Sequence, residues 1–358
     1  MRYLSRYLLR SDVNMKELGI KIKLAYVTGL REVVWRELES NSAFCVAGEE
    51  GDAVYLKFDA ELLSGIKNLK SVARAYIVVR GDLYNPLYIS THKSVLGDLI
   101  DIVVKDKPEN FRNFKLTCAG LDSPEVKNII KYIEEKYKIP EKNEADLKIH
   151  IIKTEDMWEV GLHVTPRPLS VRDYKVVNMS GAMDSTIAYA VNSFGNLNSA
   201  KSYLNIFSGS GTLLIEAAKS YPKLEKIVGF DNDKNRLSLS IQNIKKAGLI
   251  KKVEVKEGNI FDKPDFGKFD VIASDLPFGM AILKNEDLES LYKTFIEYCE
   301  EKLKPRGRLV VYTSEVELLQ SIIEKSKLKV IKTLDLKFMT ASGAYLRPKI
   351  LVCEYRAK

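Results

Sequence analysis

The chain has 358 residues, 46% of them hydrophobic and 29% charged, and a formal net charge of +8. That length exceeds one ordinary domain and predicts two or three, and no run approaches the roughly 18 apolar residues of a helical membrane span, while the dispersed cysteines fit a reducing cytoplasm. Cys45, Cys118, Cys299 and Cys353 lie far apart with no Cys-x-x-Cys pair, and His92, His150 and His163 are as scattered, which excludes a zinc knuckle or a disulfide framework and predicts no metal.

Residues 1–19 are basic with a few apolar positions and read as an N-terminal arm, without the sustained apolar stretch and cleavage site of a signal peptide. The pattern over 20–27 suits a strand, and Gly29 opens a helical spacing over 30–38. The runs 53–58 and 72–79 are rich in residues that suit a pleated surface, with a short helix near 61–66 between them. Residues 20–80 therefore predict a small α+β unit.

A second mixed unit is expected over 81–164. It holds a helix at 94–104, a strand at 114–118, a helix from the natural N-cap Ser123 to Tyr137, and a hairpin of strands 146–152 and 158–164. Thr165-Pro166-Arg167-Pro168 then starts an extended linker, 165–180, because each proline disfavours helix in the residue before it.

From 181 to 358 strands alternate with helices, the signature of a parallel sheet covered on both faces. Strands are expected at 203–206, 227–230, 253–255, 271–273 and 309–312, and helices at 212–220, 234–247, 288–303 and 316–324. Two further β-like runs, 329–338 and 345–354, close the chain.

The chemistry is concentrated in three turns that follow strands of this last region. Phe207-Ser208-Gly209-Ser210-Gly211-Thr212 lies between a strand and a helix, where glycines permit a tight turn and a helix N-terminus offers unpaired N–H donors. It is no dinucleotide fingerprint, since Leu214 stands where the third glycine belongs. Asp231 closes the next strand, where a carboxylate accepts from the two hydroxyls of a bound ribose. The alternative there is a helix N-cap, a role shared with Asn232 or Asp233. Asn259, followed by Ile260, occupies the place of a polar contact to adenine, or of an ordinary surface loop.

The third turn is Ser274-Asp275-Leu276-Pro277-Phe278-Gly279. An exocyclic base amine is a poor nucleophile because its lone pair is delocalised into the ring. Two acceptors, the Asp275 carboxylate and the Leu276 carbonyl, draw on its hydrogens, Pro277 stiffens the turn, and Phe278 stacks on a flipped base. The alternative is an accidental surface turn.

In order along the chain stand Pro166-Arg167-Pro168-Leu169-Ser170-Val171-Arg172-Asp173-Tyr174, Gly181-Ala182-Met183, the glycine loop with Leu214-Ile215-Glu216-Ala217-Ala218, and Asp-Leu-Pro-Phe-Gly. In this the sequence resembles the THUMP-containing class I tRNA guanine-N2-methyltransferases over nearly its whole length. The resemblance implies an α/β fold: a Rossmann-like methyltransferase domain at 181–358, mostly parallel with an antiparallel C-terminal hairpin, preceded by a ferredoxin-like domain (20–80) and a THUMP RNA-binding domain (81–164). It implies S-adenosylmethionine as cofactor, held by Phe207, Gly209, Ser210, Gly211, Thr212, Asp231, Asn232, Asn259 and Ile260, with Asp275, Leu276, Pro277 and Phe278 at the target base. It also implies guanine N2 in the tRNA acceptor stem, position 6, as the methyl acceptor.

Asn205 and Ser208 depart from the Asp and Cys usual in that glycine loop, and Asn259 from a frequent Asp. Arg167, Arg172 and Lys175 are candidates for phosphate contacts, or simply a solvated charge run. A monomer or weak homodimer is expected. The rival readings are an rRNA guanine-N2-methyltransferase and a noncatalytic RNA-binding protein that retains the fold.

Overall fold

The computed structural model describes residues 19–105, 108–177, 181–277, 288–339, 343 and 345–355. Nearly all of the expected arm, together with Phe278 and Gly279, lies outside them. The chain separates into two compact units, one of Arg36–Leu169 with the residues that precede Val27, the other of Val27–Trp35 and Ser170–Lys358.

The N-terminal unit is built on one sheet. Its strands are β1 (Lys21–Ala25), β2 (Val46–Glu50), β3 (Ala53–Lys57), β4 (Arg74–Gly81), β5 (Phe114–Cys118), β6 (Leu147–Lys153) and β7 (Trp158–His163), in the order β2-β3-β1-β4-β7-β6-β5. Only β5 and β6 run parallel. The two N-terminal units expected from the sequence thus share a continuous sheet, joined where β4 pairs with β7. Alternation assigns its faces. Ile22, Leu24, Val54, Leu56, Ile77, Val79, Val160, Leu162, Ile149 and Ile151 are buried on one side, whereas Lys23, Tyr76, Arg80, Glu159 and His150 share the other by register.

The helices connecting these strands are α1 (Arg31–Glu39), α2 (Leu62–Ile66), α3 (Pro86–Thr91), α4 (Ser94–Val104) and α5 (Pro124–Tyr137). Ser123 caps α5 as expected, accepting from the Val126 N–H at 3.3 Å, and Asn85 does the same for α3 through Tyr88 at 2.8 Å.

The C-terminal unit holds α6 (Ser185–Ser193), β8 (Ser202–Ile206), α7 (Thr212–Ser220), β9 (Lys226–Asp231), α8 (Lys234–Lys246), β10 (Val253–Glu257), β11 (Phe269–Asp275), α9 (Leu288–Lys302), β12 (Leu303–Thr313), α10 (Val316–Glu324), β13 (Leu328–Asp335), a two-residue pair β14 (Phe338–Met339) and β15 (Tyr345–Leu346), and β16 (Lys349–Tyr355). The sheet order is β10-β9-β8-β11-β12-β16-β13. Strands β8 to β12 are parallel, and β16 runs antiparallel between β12 and β13.

Because parallel strands bury both faces, β8 and β9 are almost wholly buried, and the core between sheet and helices gathers Leu204, Ile206, Phe230, Ile272, Phe295, Tyr298 and Leu319. Strand order reverses at β8, whose neighbours are β9 on one side and β11 on the other. A reversal of this kind opens a crevice at the carboxyl ends of the two diverging strands, where open α/β sheets bind ligands. Among the described residues no helix is long and apolar enough to cross a membrane.

Candidate active site

The site is set by register. Ser274 of β11 pairs with Ile206 of β8, and Ile206 with Phe230 of β9, so three strands end at one level. The glycine loop leaves β8, Asp231 ends β9, and Asp275 ends β11, on strands about 4.8 Å apart. Hydrogen bonds tie these ends together. Ser274 Oγ donates to the Ile206 carbonyl at 2.8 Å, and Asn205 Nδ2 donates to the Ala273 carbonyl at 3.0 Å.

The glycine loop has an unusual backbone. Phe207, Gly209 and Gly211 all have positive φ, 56°, 49° and 77°. Two of these positions suit glycine, while at Phe207 the ring lies against Phe295, centroids 6.0 Å apart, and the surrounding packing imposes the conformation. A Cβ at Gly211 would collide with Ser240, so glycine there also lets α8 press against the loop.

Asp231 is buried, and its carboxylate clamps this loop. Oδ2 accepts from the Gly209 N–H at 2.9 Å and Oδ1 from the Asp233 N–H at 3.1 Å. An ionised carboxylate offers about four acceptor positions, so capacity remains for further donors. The helix-capping alternative goes to its neighbour: Asp233 caps α8, accepting from Asn235 and Arg236. Asn232 is exposed beside them. Asn259 caps a short 3-10 turn by accepting from the Phe261 N–H at 3.1 Å, with Ile260 buried beneath and Phe261 exposed.

Among the described carboxylates of this unit, Asp275 is set apart by a raised pKa. It is half-buried, with no hydrogen bond or ion pair among the described residues, and burial alone pushes its pKa up to about 7. The turn after it is braced from below. The Leu276 N–H donates to the Tyr312 carbonyl at 3.0 Å, and the buried Tyr292 hydroxyl donates to the Pro277 carbonyl at 2.9 Å while meeting Thr313 Oγ1 at 3.1 Å. Phe278 falls outside the described residues.

The three basic residues expected at RNA phosphates part company. Arg167 is exposed. Arg172 is turned inward: its Nε donates to Glu216 Oε1 at 3.1 Å, and Tyr174 Oη donates to the same buried oxygen at 2.7 Å. Lys175 donates to the Met183 carbonyl at 2.7 Å, and burial lowers its pKa. The expectation that Arg172 and Lys175 meet phosphates is therefore corrected, because a buried Glu216 needs a partner and the Lys175 ammonium already serves a carbonyl. Glu216 was itself a visible signal, one charge in the apolar run Leu213-Leu214-Ile215-Glu216-Ala217-Ala218. Tyr292, Tyr312 and Thr313 gave none.

The donor set suits a nucleoside with adjacent hydroxyls, since Asp231 has spare acceptor capacity beside a glycine loop at a helix N-terminus. Among the described residues no group of three or more His, Cys, Asp or Glu is placed to hold a metal ion.

Residues 172–344 match the family model of the RMKL-like methyltransferase domain, UPF0020. The U6 snRNA (guanine-N(2))-methyltransferase THUMPD2 of Bos taurus is 32% identical over 166 residues, 46% of this chain and 32% of that enzyme. The chain matches about a third of the length of that relative and of its mouse and human counterparts. The tRNA (guanine(6)-N2)-methyltransferase of Methanocaldococcus jannaschii is 22% identical over 368 residues, 87% of this chain and 96% of that one. The crystal structure of TrmN from Thermus thermophilus has the same fold, with a TM-score of 0.70 at 21% identity over 94% of this chain and 99% of that one.

Proposed function

We propose that this chain, whose residues 172–344 carry an RMKL-like methyltransferase domain, methylates the exocyclic N2 of a guanine in tRNA with S-adenosylmethionine as methyl donor. The observation that carries this reading is the Asp275 carboxyl, which has no partner among the described residues. It sits at the switch point of a class I methyltransferase sheet, one strand from a glycine loop clamped by Asp231.

In this reading Phe207, Gly209, Ser210, Gly211, Thr212, Asp231, Asn232, Asn259 and Ile260 hold the cofactor, with Asp231 taking the ribose hydroxyls. The cofactor supplies an electrophilic methyl group on a sulfonium. Asp275 and the Leu276 carbonyl accept the two hydrogens of the guanine amine. That holds the nitrogen lone pair away from the ring and toward the methyl group. Were the methyl group to pass to the amine, leaving its bonding electron pair on the cofactor sulfur, positive charge would grow on the nitrogen, and the nearby carboxylate would stabilise it more than it stabilises the neutral amine. The Asp275 carboxylate then takes a proton from the methylated amine. A pKa of about 7 leaves it ionised enough to accept the proton and basic enough to keep it briefly.

Arg167 and the net charge of +8 support a polyanionic substrate. Guanine 6 of tRNA is the favoured acceptor, because the archaeal relative named for that position aligns along 96% of its length. A U6 snRNA guanine is the second reading, favoured by the 32% identity to the bovine enzyme within the catalytic half. In either case the chain works as a cytoplasmic monomer or weak homodimer.

The test is incubation of the protein with S-adenosylmethionine carrying an isotopic methyl group and, separately, unmodified tRNA, U6 snRNA and protein-free rRNA, followed by nucleoside mass spectrometry. Labelled N2-methylguanosine from tRNA is the expected result. Labelled N6-methyladenosine, or no labelled nucleoside from any RNA, overturns the reading.

A further inference from the structure

The segment Arg172–Val177 runs as a strap across the surface of α7 and α8. Arg172 and Tyr174 fasten it to Glu216 of α7, and Lys175 fastens it to the Met183 carbonyl. Its fourth anchor is shared with the glycine loop. Asn243 of α8 is fully buried. Its Oδ1 accepts from the Val176 N–H at 3.1 Å, and its Nδ2 donates to the Ser210 carbonyl at 3.1 Å. Only one orientation of the side-chain amide satisfies both bonds.

The Ser210 carbonyl belongs to the peptide plane whose other end is the Gly211 N–H, which donates to the Ser208 carbonyl at 2.8 Å. That plane lies between Ser210 and Gly211, and on the Gly211 side, where φ is 77°, no Cβ resists rotation. Sterics on that side leave it loose. What fixes it is Asn243 on its oxygen and Ser208 on its nitrogen.

We infer that Asn243 is a positioning residue for the cofactor: its two amide bonds lock the strap at Val176 to the glycine loop at Ser210, and the strength of cofactor binding depends on that lock. The inference rests on the reading that this loop holds S-adenosylmethionine. Asn243, fully buried, touches neither cofactor nor base in this account. The methyl-transfer step therefore proceeds normally once the cofactor is bound, and the effect belongs to affinity.

The experiment measures S-adenosylhomocysteine binding by calorimetry, the KM for S-adenosylmethionine and kcat on tRNA in the full chain, for Asn243→Ala, Asp231→Ala and Ile323→Ala. Ile323 is a buried residue of α10, and its truncation serves as a control for destabilisation alone. For Asn243→Ala we expect a rise of about tenfold in both Kd and KM with kcat within about twofold of wild type, whereas Ile323→Ala loses thermal stability at unchanged Kd. If Asn243→Ala does not fold, Val176→Pro is read instead. It removes the N–H that donates to Asn243 Oδ1 and to the Tyr174 carbonyl, at an exposed side chain away from the cofactor loop.

An Asn243→Ala Kd within twofold of wild type, or an equal rise in Ile323→Ala, overturns the inference while Asp231→Ala still weakens binding. If Asp231→Ala also binds normally, the cofactor reading itself falls.

Discussion

Two acidic side chains, one in each unit, are withdrawn from solvent and have opposite fates. Glu159 of β7 is fully buried, yet its Oε1 accepts from Lys23 Nζ at 2.8 Å and meets His150 Nε2 at 3.0 Å, while Arg80 Nε lies 3.4 Å from its Oε2. Burial alone would raise its pKa, but the His150 and Lys23 hydrogen bonds hold it below the usual carboxylate range. Asp275 of β11 keeps some contact with solvent but has no such partner among the described residues, and burial carries it up to about 7. A buried charge surrounded by opposite charges serves the fold, whereas a carboxyl with no partner among the described residues, at the end of a parallel strand, is a candidate for chemistry. Burial is common to both; the partners separate structure from chemistry.

The largest effect that sharpens this contrast is on turnover. Asp275→Ala is expected to lower kcat on tRNA roughly a hundredfold or more, by analogy with loss of one positioned electrostatic partner, with cofactor binding and thermal stability close to wild type. Single-turnover methylation at saturating cofactor measures it, and a rate near wild type breaks the contrast on the catalytic side. Next comes Glu159→Ala, which leaves Lys23, Arg80 and His150 facing one another. Urea denaturation is expected to show a loss of about 2 to 3 kcal/mol, below the full cost of a broken buried pair because these cations retain some solvent. An unchanged urea midpoint would make the Glu159 cluster ornamental.

The smallest effect is the pH dependence of stability, where the two residues have opposite signs. Glu159, with its folded pKa lowered, contributes stability that is present above its unfolded value, near 4.5, and is lost as pH falls through the folded pKa. The stability gap between wild type and Glu159→Gln should therefore narrow as pH falls below about 4.5, closing once pH passes below the folded pKa. Asp275, raised from 3.8 to about 7, favours the folded state only while protonated, and that contribution is lost as pH rises through 7. Asp275→Asn should therefore be more stable than wild type at pH 8, by about 1 kcal/mol after discounting for the solvent that reaches the carboxyl. Equal midpoints at pH 8 and pH 5 would contradict the raised pKa.

How far the sequence reveals these features depends on how local their causes are. The glycine loop follows a strand directly, and Asp231 and Asp275 each close one, so strand-turn-helix patterning exposed them as short motifs. Strand β2 escaped because Val46-Ala47-Gly48-Glu49-Glu50 is a poor strand former, exposed at four of its five positions, and exists only through pairing with β3. Helix α3 escaped by its length, six residues, although Asn85 and Pro86 are an N-cap and an N1 proline in plain view. Strand β12 reaches back through Lys304-Pro305-Arg306-Gly307, a cluster that reads locally as a turn. The inward turn of Arg172 could not be read at all, since its partner Glu216 is 44 residues away. The same distance problem hid Tyr292 and Tyr312, which brace the turn at 276–277 from other elements.

The central claim is that Asp275 acts as the ionised acceptor of the substrate amine. Its most direct test is the pH dependence of single-turnover methylation of tRNA, wild type beside Asp275→Asn, at saturating cofactor. A carboxylate with a pKa of about 7 predicts a wild-type rate that rises about tenfold per pH unit below 7 and levels off above it. The amide variant should run slower with no inflection near 7. A wild-type profile flat from pH 5.5 to 8.5, or the same inflection retained in Asp275→Asn, would contradict the account.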